Sequence, residues 1–166
     1  MNTTLSIDQI WKLLHSIPDP EVPAISIVEL GVVRNVEVME EGEVVITITP
    51  TYSGCPALKA MEDDIKSTLS KEGINSVKVK MVYKPAWTTD WLSDETKAKM
   101  EAYGIAPPVG RSSDQLLPFA TLKTKVSCPF CKSESTKLTS QFGSTACKAL
   151  YYCDSCHQPF EHFKCH

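Results

Sequence analysis

The sequence contains no apolar run that approaches the length of a membrane span. Its first residues, MNTTLSIDQIW, also lack a basic segment followed by an apolar core. The first absence argues against a transmembrane helix, and the second argues against a secretory signal peptide. We therefore expect a cytoplasmic protein that has no membrane partner.

Positive charge is also sparse along the chain. The 166 residues carry a net charge of −3, and lysine and arginine do not cluster into a run. Because nucleic-acid-binding domains usually carry a basic patch, we expect no nucleic-acid partner. The apolar fraction of 42% and the charged fraction of 22% are typical of a globular protein.

Cysteine is scarce in most of the chain and abundant at its end. Of the 7 cysteines, Cys55 stands alone within residues 1–105, and the others lie between Cys128 and Cys165. In a reducing cytosol, such cysteines indicate metal binding or thiol chemistry more often than disulfides.

The composition predicts two domains. The stretch APPVGRSSDQLLPFATLKTK, residues 106–125, contains the proline, glycine and serine residues that are typical of a connector. We therefore predict an α+β domain over residues 1–105, a linker over 106–125 and a cysteine-rich domain over 126–166.

Hydrophobic periodicity predicts the order α-β-β-α-β for the first domain. Ser6 and Gln9 have the spacing of a capping box, and Glu41-Gly42 predicts a hairpin turn between the first two strands. The predicted elements are a helix from Ser6, strands over 32–38 and 44–48, a helix from Cys55, a strand over 77–83 and a helical segment near 94–103.

Cys55 lies where a predicted strand ends and a predicted helix begins. Pro56 is favoured at the first position of a helix, and Gly54 permits a tight turn beside the sulfur. The unpaired N–H groups and partial positive charge of a helix start favour the thiolate. We therefore predict a lowered pKa and a reactive sulfur for Cys55. The alternative is a small buried residue that packs the start of the helix.

The last quarter of the chain contains two C-x-x-C pairs, Cys128 with Cys131 and Cys153 with Cys156. Each pair can place two sulfurs on one turn, and two such turns can form a tetrahedral zinc site. We predict a zinc ribbon that depends on its metal for folding, because so short a segment buries little apolar surface. A rubredoxin-like iron site would use the same ligands, and unliganded thiols are the third alternative.

Other potential ligands in the cysteine-rich domain are Cys147, Cys165, His157, His162 and His166. The two cysteines either pack inside the domain or form a second thiol site, and the sequence leaves both alternatives open. Histidines beside a ribbon are more often surface residues than ligands.

Four ordered motifs within residues 6–102 resemble those of the metal–sulfur cluster assembly family. They are Asp19-Pro20-Glu21, Leu30-Gly31 to Val36, Thr47 to Cys55-Pro56, and Pro85 to Trp87. The resemblance implies the fold of that family, a role in iron–sulfur cluster assembly or delivery, and a functional thiol at Cys55. Our candidates for the pocket around this thiol are Asp19, Glu21, Thr51, Ser53, Gly54 and Trp87. The alternative for Trp87 is a place in the core.

The tail carries a second resemblance. Phe142 to Lys148, Cys153 to Cys156 and Pro159 to Cys165 are similar to motifs of the D subunits, also called J, of bacterial phenylacetyl-CoA epoxidase systems. In these systems other subunits carry the di-iron oxygenase site and the flavin and iron–sulfur reductase. The resemblance implies a maturation factor that helps to insert iron or iron–sulfur centres into the oxygenase or reductase. Such a factor would hold zinc in the ribbon and would hold iron or an iron–sulfur cluster transiently at Cys55.

The sequence also supports competing functions. The main alternative is a structural or electron-transfer component of the oxygenase complex, with iron in the cysteine cluster. A thiol enzyme is disfavoured because the Cys55 motif contains no histidine, so we expect no catalytic activity from the chain itself. Whether the protein forms a homodimer is left open.

Overall fold

The computed structural model describes residues 5–110 and 125–164, which form two compact units. The first unit ends at Trp87 and the second begins at Thr88. Within the described ranges, no helix is both long enough and apolar enough to cross a membrane.

The first unit contains two helices and a three-stranded sheet in the predicted order. Its elements are α1 (Ile7–His15), β1 (Val33–Val38), β2 (Val44–Ile48), α2 (Ala57–Lys71) and β3 (Val77–Met81). Strand β2 lies in the centre, antiparallel to β1 and parallel to β3. The predicted α+β fold of this unit is confirmed.

Local sequence signals start and end these elements. The predicted capping box is present, since Ser6 N–H donates to Gln9 Oε1 over 2.8 Å and Gln9 N–H donates to Ser6 Oγ over 3.3 Å. Gly42 closes the β1–β2 hairpin at φ 79°, a left-handed conformation that glycine adopts readily. Helix α1 buries Ile10 and Leu14, whereas Ile7 at its start is 47% exposed.

Helix α2 connects the two parallel strands and thereby positions Cys55. Parallel neighbours cannot be joined by a tight turn, so the chain crosses from β2 to β3 through a helix. The buried side chains Met61, Ile65 and Leu69 hold α2 in the core. Residues 49–56, between the end of β2 and the start of α2, therefore lie at the carboxyl end of the central strand.

The second unit is built around a four-stranded sheet. Its elements are a 3₁₀ helix (Thr89–Trp91), α3 (Asp94–Ala102), β4 (Ile105–Ala106), β5 (Thr136–Ser140), β6 (Lys148–Cys153) and β7 (Pro159–Phe163). The strand order is β4-β7-β6-β5, with β4 parallel to β7 and the other pairs antiparallel.

The structure divides the chain earlier than the predicted boundary at residue 105. Ile105 and Ala106 pair with Glu161 and His162 of β7, so this strand belongs to the sheet of the second unit. The predicted linker at 106–125 therefore begins inside a strand, and its residues 111–124 lie outside the described part of the chain. Pairing over such a sequence distance leaves no local signal in the sequence.

His162 fastens β7 to β4 within the second unit. Its Nδ1 lies 3.2 Å from the carbonyl oxygen of Ala106, and its ring packs edge-on against Tyr151. The side chain is 8% exposed, and this burial lowers the pKa of His162 to about 4. His162 is therefore a neutral structural residue at neutral pH.

The buried histidine makes stability depend on pH. Between the ordinary pKa of 6.5 and the folded value of about 4, the unfolded chain binds the additional proton. The free energy of unfolding should therefore fall as the pH drops through this window, by about 3 kcal/mol at its lower end. His162→Asn keeps an N–H donor but does not titrate. Urea unfolding near neutral pH and near the lower end of the window should show a smaller loss for this variant, and equal losses would contradict the assignment.

Candidate functional site

Cys55 is held in a fixed turn immediately before α2. Its N–H donates to the Tyr52 carbonyl over 3.3 Å, and its carbonyl accepts from Leu58 N–H over 3.4 Å. Pro56 is the N-cap, so the helix begins one residue later than predicted. Gly54 adopts φ 81°, and no heavy atom lies within 4 Å of the position that its Cβ would occupy. A tight turn with free space beside it therefore precedes the cysteine.

Four groups act on the Cys55 sulfur. The backbone N–H of Ala57 and the side chain of Thr51 donate hydrogen bonds to it, and the carboxylates of Glu21 and Asp19 repel negative charge there. The fold thus brings Asp19 and Glu21, which precede β1, to the start of α2. We expected both residues in the Cys55 pocket from the family resemblance, and that role stays a prediction.

The predicted lowering of the Cys55 pKa is wrong. Burial raises the pKa of this thiol above its ordinary value of 9.0, and the charges of Glu21 and Asp19 raise it further. The hydrogen bonds from Ala57 and Thr51 favour the thiolate but do not compensate. The prediction considered only the helix start, whereas desolvation and nearby carboxylates depend on tertiary structure. Cys55 is therefore a protonated thiol at neutral pH.

Asp19 also organises the loop that carries Glu21. Its side chain is 2% exposed, and Oδ1 accepts the backbone N–H groups of Glu21 over 2.9 Å and Val22 over 2.7 Å. The N–H of Asp19 donates to the Ile25 carbonyl over 2.8 Å. These bonds fix the position of the Glu21 backbone relative to Asp19.

The remaining pocket candidates have different environments. Ser53 is exposed in the same turn as Cys55. Trp87 is buried, and its indole N–H donates to the Leu30 carbonyl over 2.8 Å. This bond joins two of the four family motifs and supports the alternative that Trp87 completes the core. A role for Ser53 or Trp87 at the Cys55 site stays a prediction.

The four C-x-x-C sulfurs of the second unit form one compact cluster. All four lie within 4.8 Å of one another, with 3.7 Å between Cys128 and Cys156 and 3.5 Å between Cys131 and Cys153. Four thiolates at zinc–sulfur bond lengths of about 2.3 Å would be separated by about 3.8 Å at tetrahedral angles. The cysteines therefore fit a single tetrahedral metal ion.

The two pairs of cysteines lie on equivalent turns. In each turn, the first cysteine, Cys128 or Cys153, accepts at its carbonyl the N–H of the residue four positions later. Those residues, Lys132 and His157, have left-handed φ values of 63° and 59°. His157 was predicted only as a surface residue or a ligand. Lys132 and His157 each lie four residues after the first cysteine of their pair, and this equal spacing could have indicated the shared turn.

The sulfurs of the cluster ionise unequally. Hydrogen bonds, first from the Cys156 backbone, outweigh burial and lower the pKa of Cys153 to about 7. Burial raises the pKa of Cys156 to about 12. An arriving cation would thus meet one thiolate first and would then favour ionisation of the other thiols.

Cys147 lies apart from this cluster. Its side chain is buried, and its Sγ is 3.0 Å from Thr145 Oγ1. Among the residues that the structure describes, the single group suited to a metal ion consists of the four C-x-x-C cysteines. The predicted second thiol site also involved Cys165, which, like His166, lies outside the described residues.

Alkylation can test the environment of Cys55. Because burial and two carboxylates raise its pKa, the alkylation rate should increase only above the pH at which a free cysteine ionises. Glu21→Gln removes one charge and should shift the profile to lower pH, whereas Glu62→Gln on the same unit should leave it unchanged. The measurement is iodoacetamide labelling of Cys55, quantified by mass spectrometry. A wild-type profile centred below the free-cysteine value would contradict the assignment.

Comparison with known proteins assigns both parts of the chain to families. Residues 7–81 match the family described as iron–sulfur cluster assembly protein, and residues 118–164 match the PaaD zinc beta ribbon domain. A solved domain of unknown function from Bacillus anthracis is similar to 54% of this chain, over 86% of its own length, with 33% identity and a TM-score of 0.50.

Two relatives of known name cover different shares of the chain. The Fe-S protein maturation auxiliary factor of Porphyromonas gingivalis is 31% identical over 94 residues, which are 56% of this chain and 89% of that protein. An Escherichia coli (strain K12) protein, provisionally named as the D subunit of a 1,2-phenylacetyl-CoA epoxidase, is 49% identical over 159 residues. That match spans 96% of this chain and 93% of the relative. With both of its domains matched, the chain belongs to the family of phenylacetyl-CoA epoxidase D subunits.

Proposed function

We propose that this protein is a non-catalytic assembly factor that helps to insert iron or iron–sulfur centres into the oxygenase or reductase of a phenylacetyl-CoA epoxidase. The observation that carries the proposal is that the Glu21 and Asp19 carboxylates lie close enough to the Cys55 thiol to raise its pKa. The iron–sulfur cluster assembly match of the first unit and the maturation-factor relative support it.

The site favours a cation as its cargo. A buried thiol beside two carboxylates holds its proton, because a thiolate there would add a third negative charge in a poorly solvated place. A ferrous ion supplies the missing positive charge, so its arrival would release the Cys55 proton to solvent. The sulfur would then bind the iron, and the negative charges of the two carboxylates would attract it.

An incomplete set of ligands suits transfer rather than storage. Stable iron–sulfur and structural zinc sites use four protein ligands, usually cysteines. The Cys55 site contributes one sulfur, and an acceptor with more thiolates would bind the same iron more tightly. The thermodynamic direction of transfer is therefore from Cys55 to a better-liganded client site.

The ribbon would hold zinc as a permanent structural ion. Cys128, Cys131, Cys153 and Cys156 fit the tetrahedral spacing and close the site to a substrate ligand. Three of them, Cys128, Cys153 and Cys156, pack into the core of the second unit beside Phe160. Zinc would therefore stabilise the fold of this unit rather than take part in transfer.

Loading of a client protein tests the role of Cys55. When the epoxidase components are produced together with the Cys55→Ala variant, their iron content and activity should fall by about 10-fold or more, because the cargo loses its sulfur ligand. Cys147→Ala is the matched control, since Cys147 is also a buried cysteine but lies outside both proposed sites. Iron content is measured by mass spectrometry on the purified components. Equal loading with wild type and Cys55→Ala would refute the assembly role.

Metal analysis distinguishes the zinc ribbon from the electron-transfer alternative. Protein purified without oxygen should be colourless and contain about one zinc per chain, bound at the four-cysteine site. Cys131→Ser should lose this zinc and expose the second unit to proteolysis, whereas Cys55→Ser should retain it. Visible absorption from stoichiometric iron that disappears in Cys131→Ser would instead support a rubredoxin-like centre.

A further inference from the structure

A buried ion pair shapes the connection between β5 and β6, residues 141–147, here named the tip loop. Lys148 is 3% exposed, and its Nζ lies 2.9 Å from Glu161 Oε2. The other carboxylate oxygen, Oε1, accepts the backbone N–H of Ser144 over 2.6 Å. Glu161 thereby ties the tip loop to strands β6 and β7 by two charge-assisted hydrogen bonds.

Backbone contacts fix the rest of the tip loop. The N–H of Gly143 donates to the Lys148 carbonyl over 2.7 Å, and a Cβ at Gly143 would lie 2.6 Å from Glu161 Oε1. The Ser140 hydroxyl donates to the Phe142 carbonyl over 2.8 Å and accepts its N–H over 3.2 Å. The backbone on both sides of Phe142 is therefore held in one conformation.

This fixed loop presents Phe142 to solvent. The side chain is 66% exposed, the largest exposed fraction among the large hydrophobic residues that the structure describes. Exposure of an aromatic ring to water is unfavourable in free energy. The rigid backbone of the tip loop nevertheless keeps the Phe142 ring from turning inward. Exposed aromatic residues with few conformations to lose are the typical anchors of protein interfaces.

Lys164 gives the exposed ring a positive neighbour. Its Nζ lies 4.7 Å from the centroid of the Phe142 ring and donates to the Gln141 carbonyl over 3.0 Å. The Phe142 ring and the Gln141 carbonyl are both uncharged. Lys148, in contrast, forms an ion pair with Glu161. Phe142 and Lys164 together form an apolar surface with one positive edge.

Phe130, the other exposed phenylalanine among the described residues, has a local explanation. It is 55% exposed, but its ring packs against Gly104, where a Cβ would stand 3.1 Å from it. The nearby Lys132 is paired with Glu101 over 2.7 Å. Phe130 therefore serves as a matched control for Phe142 within the same unit.

The geometry points to Phe142 and Lys164 as a docking patch for a client protein whose binding pocket is apolar and bordered by carboxylates. This inference rests on the proposed function, because the client is the metalloprotein that receives the iron. One cation cannot follow a phosphate backbone, and the chain has a net charge of −3, which disfavours nucleic acid. A symmetric contact with a second copy would bring two Lys164 ammonium groups together, which disfavours self-association.

Binding measurements test the docking patch directly. The probes are the oxygenase and reductase components of the epoxidase, purified from the same organism in metal-free form and titrated with the full-length zinc-loaded protein. Phe142→Ala should weaken binding to the client by about 10-fold or more, and Lys164→Glu should also weaken it and reverse its salt dependence. Phe130→Ala should change the affinity by less than about twofold. Because Phe142 is exposed, zinc content and melting temperature should be unchanged in Phe142→Ala.

Several outcomes would overturn the inference. These are wild-type protein that binds none of the components, Phe142→Ala that binds like wild type, and Phe130→Ala that weakens binding as strongly. A Phe142-dependent complex with a single-stranded oligonucleotide, or a dimer that Phe142→Ala dissociates, would assign the patch to another occupant. Cys55→Ala separates the two proposals, because it should bind the client normally but fail to load it. Normal loading by Cys55→Ala would refute the assembly role. The binding data would still test the docking patch separately.

Discussion

The burial of one sulfur beside two carboxylates is the constraint on which the account of this protein depends. At the start of α2, the Ala57 N–H and the Thr51 side chain favour a thiolate at Cys55, while desolvation, Glu21 and Asp19 oppose it more strongly. The resulting thiol is protected from reaction at neutral pH. Its protection is conditional, however, because the charge of a cation in the site would offset that of the carboxylates and favour ionisation of the sulfur. Under the proposed function, the same arrangement that makes Cys55 a poor nucleophile would make it a responsive metal ligand.

Under the proposed function, the two units would bind metal with different numbers of sulfurs. The first unit offers one cysteine with neighbouring carboxylates, an arrangement that would accept iron and give it up. The second unit gathers four cysteines on two equivalent turns, which suits a permanent ion. The tip loop belongs to the second unit, so the proposed client contact and the structural metal share one scaffold. The two proposals thus assign iron transfer to the first unit and client recognition to the second.

Features that depend on local sequence were predictable. The Ser6–Gln9 capping box, the hairpin at Gly42 and the order α-β-β-α-β follow from spacing and alternation, and the structure confirms them. The group of four cysteines was predictable for the same reason, since a C-x-x-C pair is itself a local motif. The family motifs also made Asp19 and Glu21 candidates for the pocket around Cys55, and this role stays a prediction.

Features that depend on tertiary contact were not predictable. The Cys55 pKa was predicted in the wrong direction, because burial of the sulfur is set by the whole unit rather than by the helix start. The pairing of Ile105 with Glu161 was missed because the two residues lie far apart in the chain. The ion pair of Lys148 and Glu161 was missed because charged residues are rarely buried unless a partner meets them in the fold.

X-ray absorption at the iron edge tests the central claim most directly. The full-length protein would first be saturated with zinc, so that the four-cysteine site is filled, and would then receive one equivalent of ferrous iron without oxygen. We expect one sulfur and several oxygen atoms bound directly to the iron, and loss of the sulfur in Cys55→Ala. Iron that binds without any sulfur, or with the same spectrum in Cys55→Ala, would contradict this claim.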